Sequence, residues 1–148
     1  MFVDKVKYID FDGNPQEEEV RLNLTKVECK ELDLKYEAEG GIFQHLKNRI
    51  GNKKGEDIPQ KPMYEFLKEV VDIAYGQKSQ DGRRFIKHDR DGNPLSYEFM
   101  ESGAYYALME SLLSGDRDIE QFILSIFPDV PEEDRKKVEN DVKKELGV

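Results

Sequence analysis

Apolar residues alternate with polar ones in two stretches of the first 24 positions. The apolar positions of these stretches are Val6, Tyr8, Val20, Leu22 and Leu24. A period of two is typical of strands that bury one face. Between the stretches lies the run Asp12-Gly13-Asn14-Pro15, whose residues favour turns. The pattern predicts an N-terminal β-hairpin, and helices must cover its apolar face because a lone hairpin is marginally stable in water.

The apolar spacing changes to that of helices after position 25. Thr25 and Glu28 have the spacing of a capping box, in which each side chain binds the backbone amide of the other residue. We expect Leu24 and Cys29 to form the apolar staple beside this cap. A polar loop is predicted from Gly51 to Lys61. The predicted helices are 26–36, 42–50, one that starts at Pro62 and stops at Gly76, one at about 95–113, and one capped by Asp116 and ended by Pro128.

A helix of another kind is predicted for residues 131–146. It opens with acidic residues and closes with lysines, which suits the helix dipole, but its apolar stripe is thin. The chain is therefore expected to have a mostly helical α+β fold, an N-terminal β-hairpin followed by five or six short amphipathic helices. Residues 1–128 are expected to form a single globular domain. Residues 129–148 would then form a charged, loosely docked C-terminal helix.

The chain is strongly acidic, with 32 acidic and 23 basic residues in 148 and a net charge of −9. An acidic surface disfavours nucleic-acid binding, because phosphate contacts need basic residues. No apolar run reaches the roughly 20 residues that a membrane helix needs. The single cysteine, Cys29, cannot form an internal disulfide. We expect a soluble intracellular protein that binds neither nucleic acid nor membrane.

Basic charge is concentrated in two segments that the pattern predicts as connections. Residues 40–62 and residues 78–90 each contain five basic and two acidic residues, a net charge of +3. Solvated loops are the simpler interpretation of these segments. The alternative is a pair of basic patches for an acidic partner.

Two copies of Asp-Gly-Asn-Pro raise the question of a calcium site, because acidic and amide side chains occupy alternate positions there. An EF-hand loop needs glycine at its sixth position and glutamate at its twelfth. Counted from Asp10, these positions are Pro15 and Arg21; in the second copy they are Pro94 and Met100. Turns are therefore favoured over calcium loops.

The residues most often used in catalysis are scarce. The candidates Cys29, His45 and His88 form no nucleophile–base pattern, and the chain contains neither a phosphate-binding glycine loop nor a Cys/His metal motif. We expect a protein without catalytic residues, cofactor or metal.

The run from Ala74 to Lys87, AYGQKSQDGRRFIK, resembles a stretch of the tail assembly chaperones of long-tailed bacteriophages. The segment from Asn23 to Leu32 is similar to the opening strand, cap and helix of those proteins. The closing helices, with Phe122-Ile123 and Phe127-Pro128, are similar to theirs as well. The resemblance covers about residues 20–128 and does not include the second Asp-Gly-Asn-Pro run or the charged tail.

The resemblance implies a binding protein rather than an enzyme. Its expected client is the tape-measure protein, which is long, helical and aggregation-prone and must stay soluble until the tail tube polymerises around it. The major tail tube protein and a second copy of the chain are further partners that remain open. The family implies action in the cytoplasm of the bacterial host and absence from the mature virion. Alternatives are a structural tail protein retained in the virion and a small non-enzymatic adaptor.

The candidate protein-binding residues lie in the segment of strongest resemblance. We expect Gly76 to end a helix, Asp81-Gly82 to form a turn, and Phe85 and Ile86 to enter the core. Four cations then remain to contact a partner: Lys78, Arg83, Arg84 and Lys87. Arginine binds carboxylates through its planar fork, so an acidic client segment is one ligand. The chain's own acids, particularly those within 91–128, are the other, and the sequence slightly favours this scaffold role.

Overall fold

The computed structural model describes residues 1–50 and 60–128. The strands are β1 (Phe2–Ile9), β2 (Pro15–Leu22), β3 (Tyr75–Lys78) and β4 (Phe85–Ile86). The helices are α1 (Lys26–Lys35), a short 3-10 helix (Glu37–Glu39), α2 (Ile42–Ile50), α3 (Gln60–Ala74), α4 (Ser96–Phe99), α5 (Gly103–Leu113) and α6 (Ile119–Ile126). This architecture confirms the predicted α+β class.

The predicted N-terminal hairpin is confirmed. β1 and β2 pair antiparallel from Phe2 opposite Leu22 to Ile9 opposite Pro15. Its buried face carries Phe2, Val6, Val20 and Leu22. On the other face, lysines of β1 lie opposite glutamates of β2, at Lys5↔Glu19 and Lys7↔Glu17. One face therefore packs on the core, while the other is covered by cross-strand pairs of opposite charge.

The sheet has two more strands than the sequence predicted. α3 ends at Ala74, and the chain enters β3 at once, so Gly76 does not stop a helix. β3 pairs with β2 at Leu22↔Tyr75, and β4 pairs with β3 at Gln77↔Ile86. A Cβ atom at Gly76 would lie 2.5 Å from Cε1 of the Phe85 ring. Glycine is needed because β4 crosses close to the backbone, not because a helix ends there.

Two predicted helix boundaries are wrong. The predicted helix at 95–113 is two helices, because Ser102 accepts a hydrogen bond from the Tyr105 amide and begins α5 anew. At the start of α5, a Cβ atom on Gly103 would lie 2.6 Å from the Tyr8 ring. The cap of α6 is Asp118 rather than Asp116, since its side chain accepts from the Gln121 amide.

The third helix also begins earlier than predicted. Gln60 and Lys61 belong to α3 and not to the predicted loop. The rest of that loop, residues 51–59, and the predicted helix at 131–146 lie outside the described residues.

The predicted capping box is confirmed at the start of α1. The Thr25 hydroxyl accepts from the Glu28 amide at 3.1 Å, and the Glu28 carboxylate accepts from the Thr25 amide at 3.0 Å. Leu24 is buried and Cys29 packs against the core. The cap fixes the direction in which α1 leaves the sheet.

One hydrophobic core joins the buried face of the hairpin to α3, α5 and α6. Phe2 of β1 meets Phe122 of α6 edge to face, with ring centroids 4.9 Å apart. Tyr75 of β3 stacks on Phe99 of α4 at 4.0 Å. The helices thus hold the sheet from one side, which leaves its turns at the periphery.

His45 of α2 ties this helix to its neighbours. Its Nδ1 lies 2.6 Å from Glu39 Oε2, and its Nε2 lies 2.9 Å from Glu69 Oε1 of α3. The imidazole also stacks on Tyr36, with ring centroids 3.9 Å apart. Burial by itself would lower the pKa of His45, but hydrogen bonds to the two carboxylates outweigh burial, and the pKa is raised. The charged imidazolium therefore holds α2 to α3.

We expect Leu22→Asp to destabilise the protein by roughly 3–5 kcal/mol, because it buries an unpaired charge. Leu22 is 0% exposed at the centre of the core. Thermal unfolding measures the change. The control is Val3→Asp, at an exposed position on the opposite face of the same hairpin. Equal melting temperatures for the two variants would show that the buried face is assigned incorrectly.

The pKa of His45 is higher in the folded than in the unfolded state. The stability from its ion pairs is therefore complete below the unfolded pKa, about 6.5, and is lost as the pH rises through the folded pKa. We expect His45→Gln to lower the melting temperature more at about pH 6 than at about pH 9. The control is His88→Gln, at an exposed histidine. A loss independent of pH would show that neutral imidazole makes these contacts.

Candidate functional site

The connection between β3 and β4 is a tight turn built by two small polar side chains. The Ser79 hydroxyl donates to the Asp81 carboxylate at 2.7 Å. The same carboxylate accepts from the Arg83 amide at 3.0 Å, and the Ser79 hydroxyl accepts from the Arg84 amide at 3.0 Å. Gly82 supplies the left-handed backbone, with φ of +74°. The sequence prediction of a turn at Asp81-Gly82 is confirmed.

These bonds use the backbone of the two arginines and leave their side chains unengaged. Arg83 and Arg84 are exposed, and neither guanidinium forms an ion pair with a described residue. Lys78, at the end of β3, is also exposed, and among the described residues its ammonium donates to the Ser79 carbonyl alone, at 3.2 Å. We call Lys78, Arg83 and Arg84 the basic turn. Three cations on an ordered turn form a surface that can bind carboxylates.

Lys87 does not share this surface. Its side chain is only 13% exposed and forms an ion pair with Glu28, with Nζ 2.6 Å from Oε2. The same ammonium donates to the carbonyls of Asn23 at 2.7 Å and Ile73 at 3.1 Å. All three donors of Lys87 are used inside the fold. Of the two roles that the sequence left open for this residue, these contacts support the scaffold role.

The contact with Lys87 changes the pKa of Glu28. Burial by itself would raise the pKa of its carboxyl group, but the Lys87 ammonium and the hydrogen bonds at Thr25 outweigh burial, so the pKa of Glu28 is lowered. The carboxylate both caps α1 and neutralises the lysine. This pair therefore joins α1 to the end of β4.

Both Asp-Gly-Asn-Pro runs form turns, as predicted. In the first, the Asp10 carboxylate accepts from the amides of Asp12 at 3.0 Å and Asn14 at 2.8 Å. In the second, Asp89 accepts from Asp91 and Asn93, each at 2.9 Å. The leading aspartate in each run is thus bound to its own backbone.

Phe11, in the first of these turns, is an exposed residue that the sequence reasoning missed. Its side chain is 84% exposed and that of Ile9 is 64% exposed. The sequence does contain a signal for this exposure. The residues that match Ile9 and Phe11 in the second turn are His88 and Arg90, which indicates that these positions face solvent.

The described residues contain few other groups suited to catalysis or metal binding. Within it, no group of three His, Cys, Asp or Glu residues could hold a metal ion. None of the described helices has the length and apolar character to cross a membrane. Cys29 is half-buried against the core, and His45 uses both nitrogens in contacts to carboxylates. The surface features that remain are charged and apolar groups suited to protein contacts.

The sequence was compared with protein families, curated proteins and solved structures. The sequence profile of a family described as phage tail assembly chaperone matches residues 1–146. No curated protein and no solved structure matches the chain significantly. The profile match extends beyond residues 20–128, so it also takes in β1, with the first turn, and most of the residues after 128. Because the match spans nearly the whole sequence, the chain belongs to the phage tail assembly chaperone family.

Proposed function

We propose that the protein binds the tape-measure protein and keeps it soluble while the tail tube polymerises. The family supports a role in tail assembly. The observation that carries the proposed binding mode is a pair of exposed arginines that form no ion pair with any described residue, in a chain of net charge −9. Cations that the described acids leave unpaired are available for an external carboxylate.

Binding at the basic turn would be specific because the turn is already ordered. The hydrogen bonds at Ser79 and Asp81 hold the backbone of Arg83 and Arg84 before any client arrives. Little backbone entropy is then lost on association. Each guanidinium can donate two hydrogen bonds to one carboxylate, and Lys78 adds a third positive charge beside them. The fitting ligand is an acidic segment of the client.

The remaining acidic charge supports the solubilising role. A complex whose chaperone carries a large net negative charge repels other copies of itself, and this repulsion opposes aggregation. We propose that this protection is needed in the cytoplasm of the bacterial host, where the tail is built. Polymerised tube would then replace the chaperone around the client.

The test is co-expression of the full chain with the tape-measure protein of the same phage. We expect Arg83→Gln/Arg84→Gln to keep the wild-type melting temperature but to capture the client roughly tenfold less well, because two carboxylate contacts are lost. Capture by the wild type should weaken as salt rises, since exposed charges are screened. The charge-matched control is Lys68→Gln/Arg90→Gln, at two exposed positions outside the basic turn.

Lys87→Met gives the opposite outcome in the same assay. It leaves the Glu28 carboxylate and two carbonyls without their partner, so the melting temperature should fall while the folded fraction still captures client. If Arg83→Gln/Arg84→Gln behaves like Lys87→Met, the basic turn is scaffold and the proposed binding site is wrong.

The proposed absence from the mature virion has a separate test. Mass spectrometry of purified virions should detect tube and tape-measure proteins but not this chain. Its presence at a stoichiometry comparable to that of the tape-measure protein would favour the alternative of a retained structural protein.

A further inference from the structure

The tip of the β1–β2 hairpin displays two apolar side chains to solvent. Phe11 is 84% exposed, more than any other large apolar side chain of the described residues, and Ile9 is 64% exposed. Neither belongs to the core or to the partly buried groups packed against it. A single exposed apolar residue needs no explanation in general, but this pair sits together at the end of a strand pair.

The turn that carries Phe11 is held by Asp10. Its Oδ1 accepts from two backbone amides of the turn, and its Oδ2 accepts from the Gln16 side chain at 2.9 Å. The Gly13 amide in turn donates to the Asp10 carbonyl at 3.0 Å. Phe11 is therefore presented on an ordered backbone. A rigid aromatic residue can anchor a partner with little loss of conformational entropy.

The second Asp-Gly-Asn-Pro turn shows that this geometry does not require apolar residues. Residues 9–15 read IDFDGNP, and residues 88–94 read HDRDGNP. In both turns the leading aspartate accepts from the same two backbone amides, and the glycine has φ of about +85°. In both, the first and last residues of the run lie opposite each other as an antiparallel pair. They differ only where Ile9 and Phe11 are replaced by His88 and Arg90. The turn is thus built equally well with polar residues at these two positions.

The surroundings of the tip are acidic. Residues 10–19 contain five acidic residues and no basic one. Three of these acids have partners within the hairpin, since Asp10 accepts from amides of its own turn, Glu18 accepts from the Tyr8 hydroxyl, and Glu19 pairs with Arg21. Asp12 is exposed in the turn itself, and Glu17 is exposed on β2 opposite Lys7. A complementary partner surface is apolar at its centre and basic at its rim.

The topology places this tip at the same end of the sheet as the basic turn. β2 runs away from the tip, and β3 runs antiparallel to β2, so β3 leads back towards the tip before it turns. Two surfaces of opposite charge therefore lie at one end of the sheet. A long client can contact both of them at once.

We propose that the hairpin tip is a second docking point for the client. Phe11 and Ile9 enter an apolar site on the client, and lysine or arginine residues beside that site face the acids of the tip. This inference rests on the proposed function and specifies the client further: it contains an apolar segment flanked by basic residues, distinct from the acidic segment that meets the basic turn. Two contacts through one rigid sheet raise the overall affinity through effective concentration.

The test uses Phe11→Arg, which gives the first turn the residue of the second. We expect an unchanged melting temperature, because the same turn already accommodates Arg90. Capture of the co-expressed tape-measure protein should fall about tenfold or more, as it does when an aromatic anchor is lost. The matched control is Arg90→Ala in the second turn, which should capture client as the wild type does. Phe11→Leu, which keeps an apolar side chain, should capture better than Phe11→Arg.

The outcomes separate this inference from the proposed function. If the wild type captures no client, the proposed function is wrong, and the docking point for that client fails with it. If the wild type captures client and Phe11→Arg captures it equally, the inference alone is wrong. A lower melting temperature for Phe11→Arg, or a change in mass by light scattering, would show that the tip is covered by this chain or by a second copy. Either result would overturn the inference.

Discussion

The ammonium group of Lys87 joins the parts of the fold on which the functional surface depends. Its three bonds reach the residue after β2, the carboxylate that caps α1, and a carbonyl near the end of α3. Removing an ammonium group from water is unfavourable, and it is tolerated here because one ion pair and two carbonyls replace its hydration. Lys87 follows β4 directly, so the same contacts fix the end of the β3–β4 hairpin on which the basic turn lies.

Short polar side chains make the turns of this protein rigid from within. Asp10, Asp81 and Asp89 each bind amides of their own turn. Hydrogen bonds lower the pKa of all three carboxyl groups: the largest contribution comes from the Gln16 side chain at Asp10, from the Ser79 hydroxyl at Asp81, and from the Asn93 amide at Asp89. Their carboxylates are consequently committed to structure, although they appear in the sequence as acidic surface. The residues that the turns display are those whose side chains these networks do not use, namely the arginines of one turn and Phe11 of another.

This arrangement suits the proposed binding of a long client. The proposed contacts lie at one end of the sheet and differ in chemistry, one basic and one apolar with an acidic rim. If both contacts form as proposed, a client must match both to bind well, which would give selectivity that either surface alone would lack. The strong negative charge of the whole chain opposes self-association of the complex.

Local patterns in the sequence determined the hairpin, the capping box at Thr25, most helices and the turn at Asp81-Gly82. Each of these depends on residues close together in the chain, through alternation, cap spacing or turn chemistry. Strands β3 and β4 were missed because they are short and depend on tertiary pairing. β3 pairs with β2, which lies more than 50 residues earlier, and β4 pairs with β3.

Only the tertiary structure decided the roles of Gly76 and Lys87. In the sequence, Gly76 resembles a glycine that ends a helix. The structure shows that glycine is needed there because the Phe85 ring packs directly against its backbone. Lys87 looks like one more cation in a basic segment, yet its partners are 14, 59 and 64 residues earlier. Whether a lysine faces solvent or replaces its hydration with internal acceptors depends on which distant groups the fold brings within hydrogen-bonding distance. Local sequence does not contain that information.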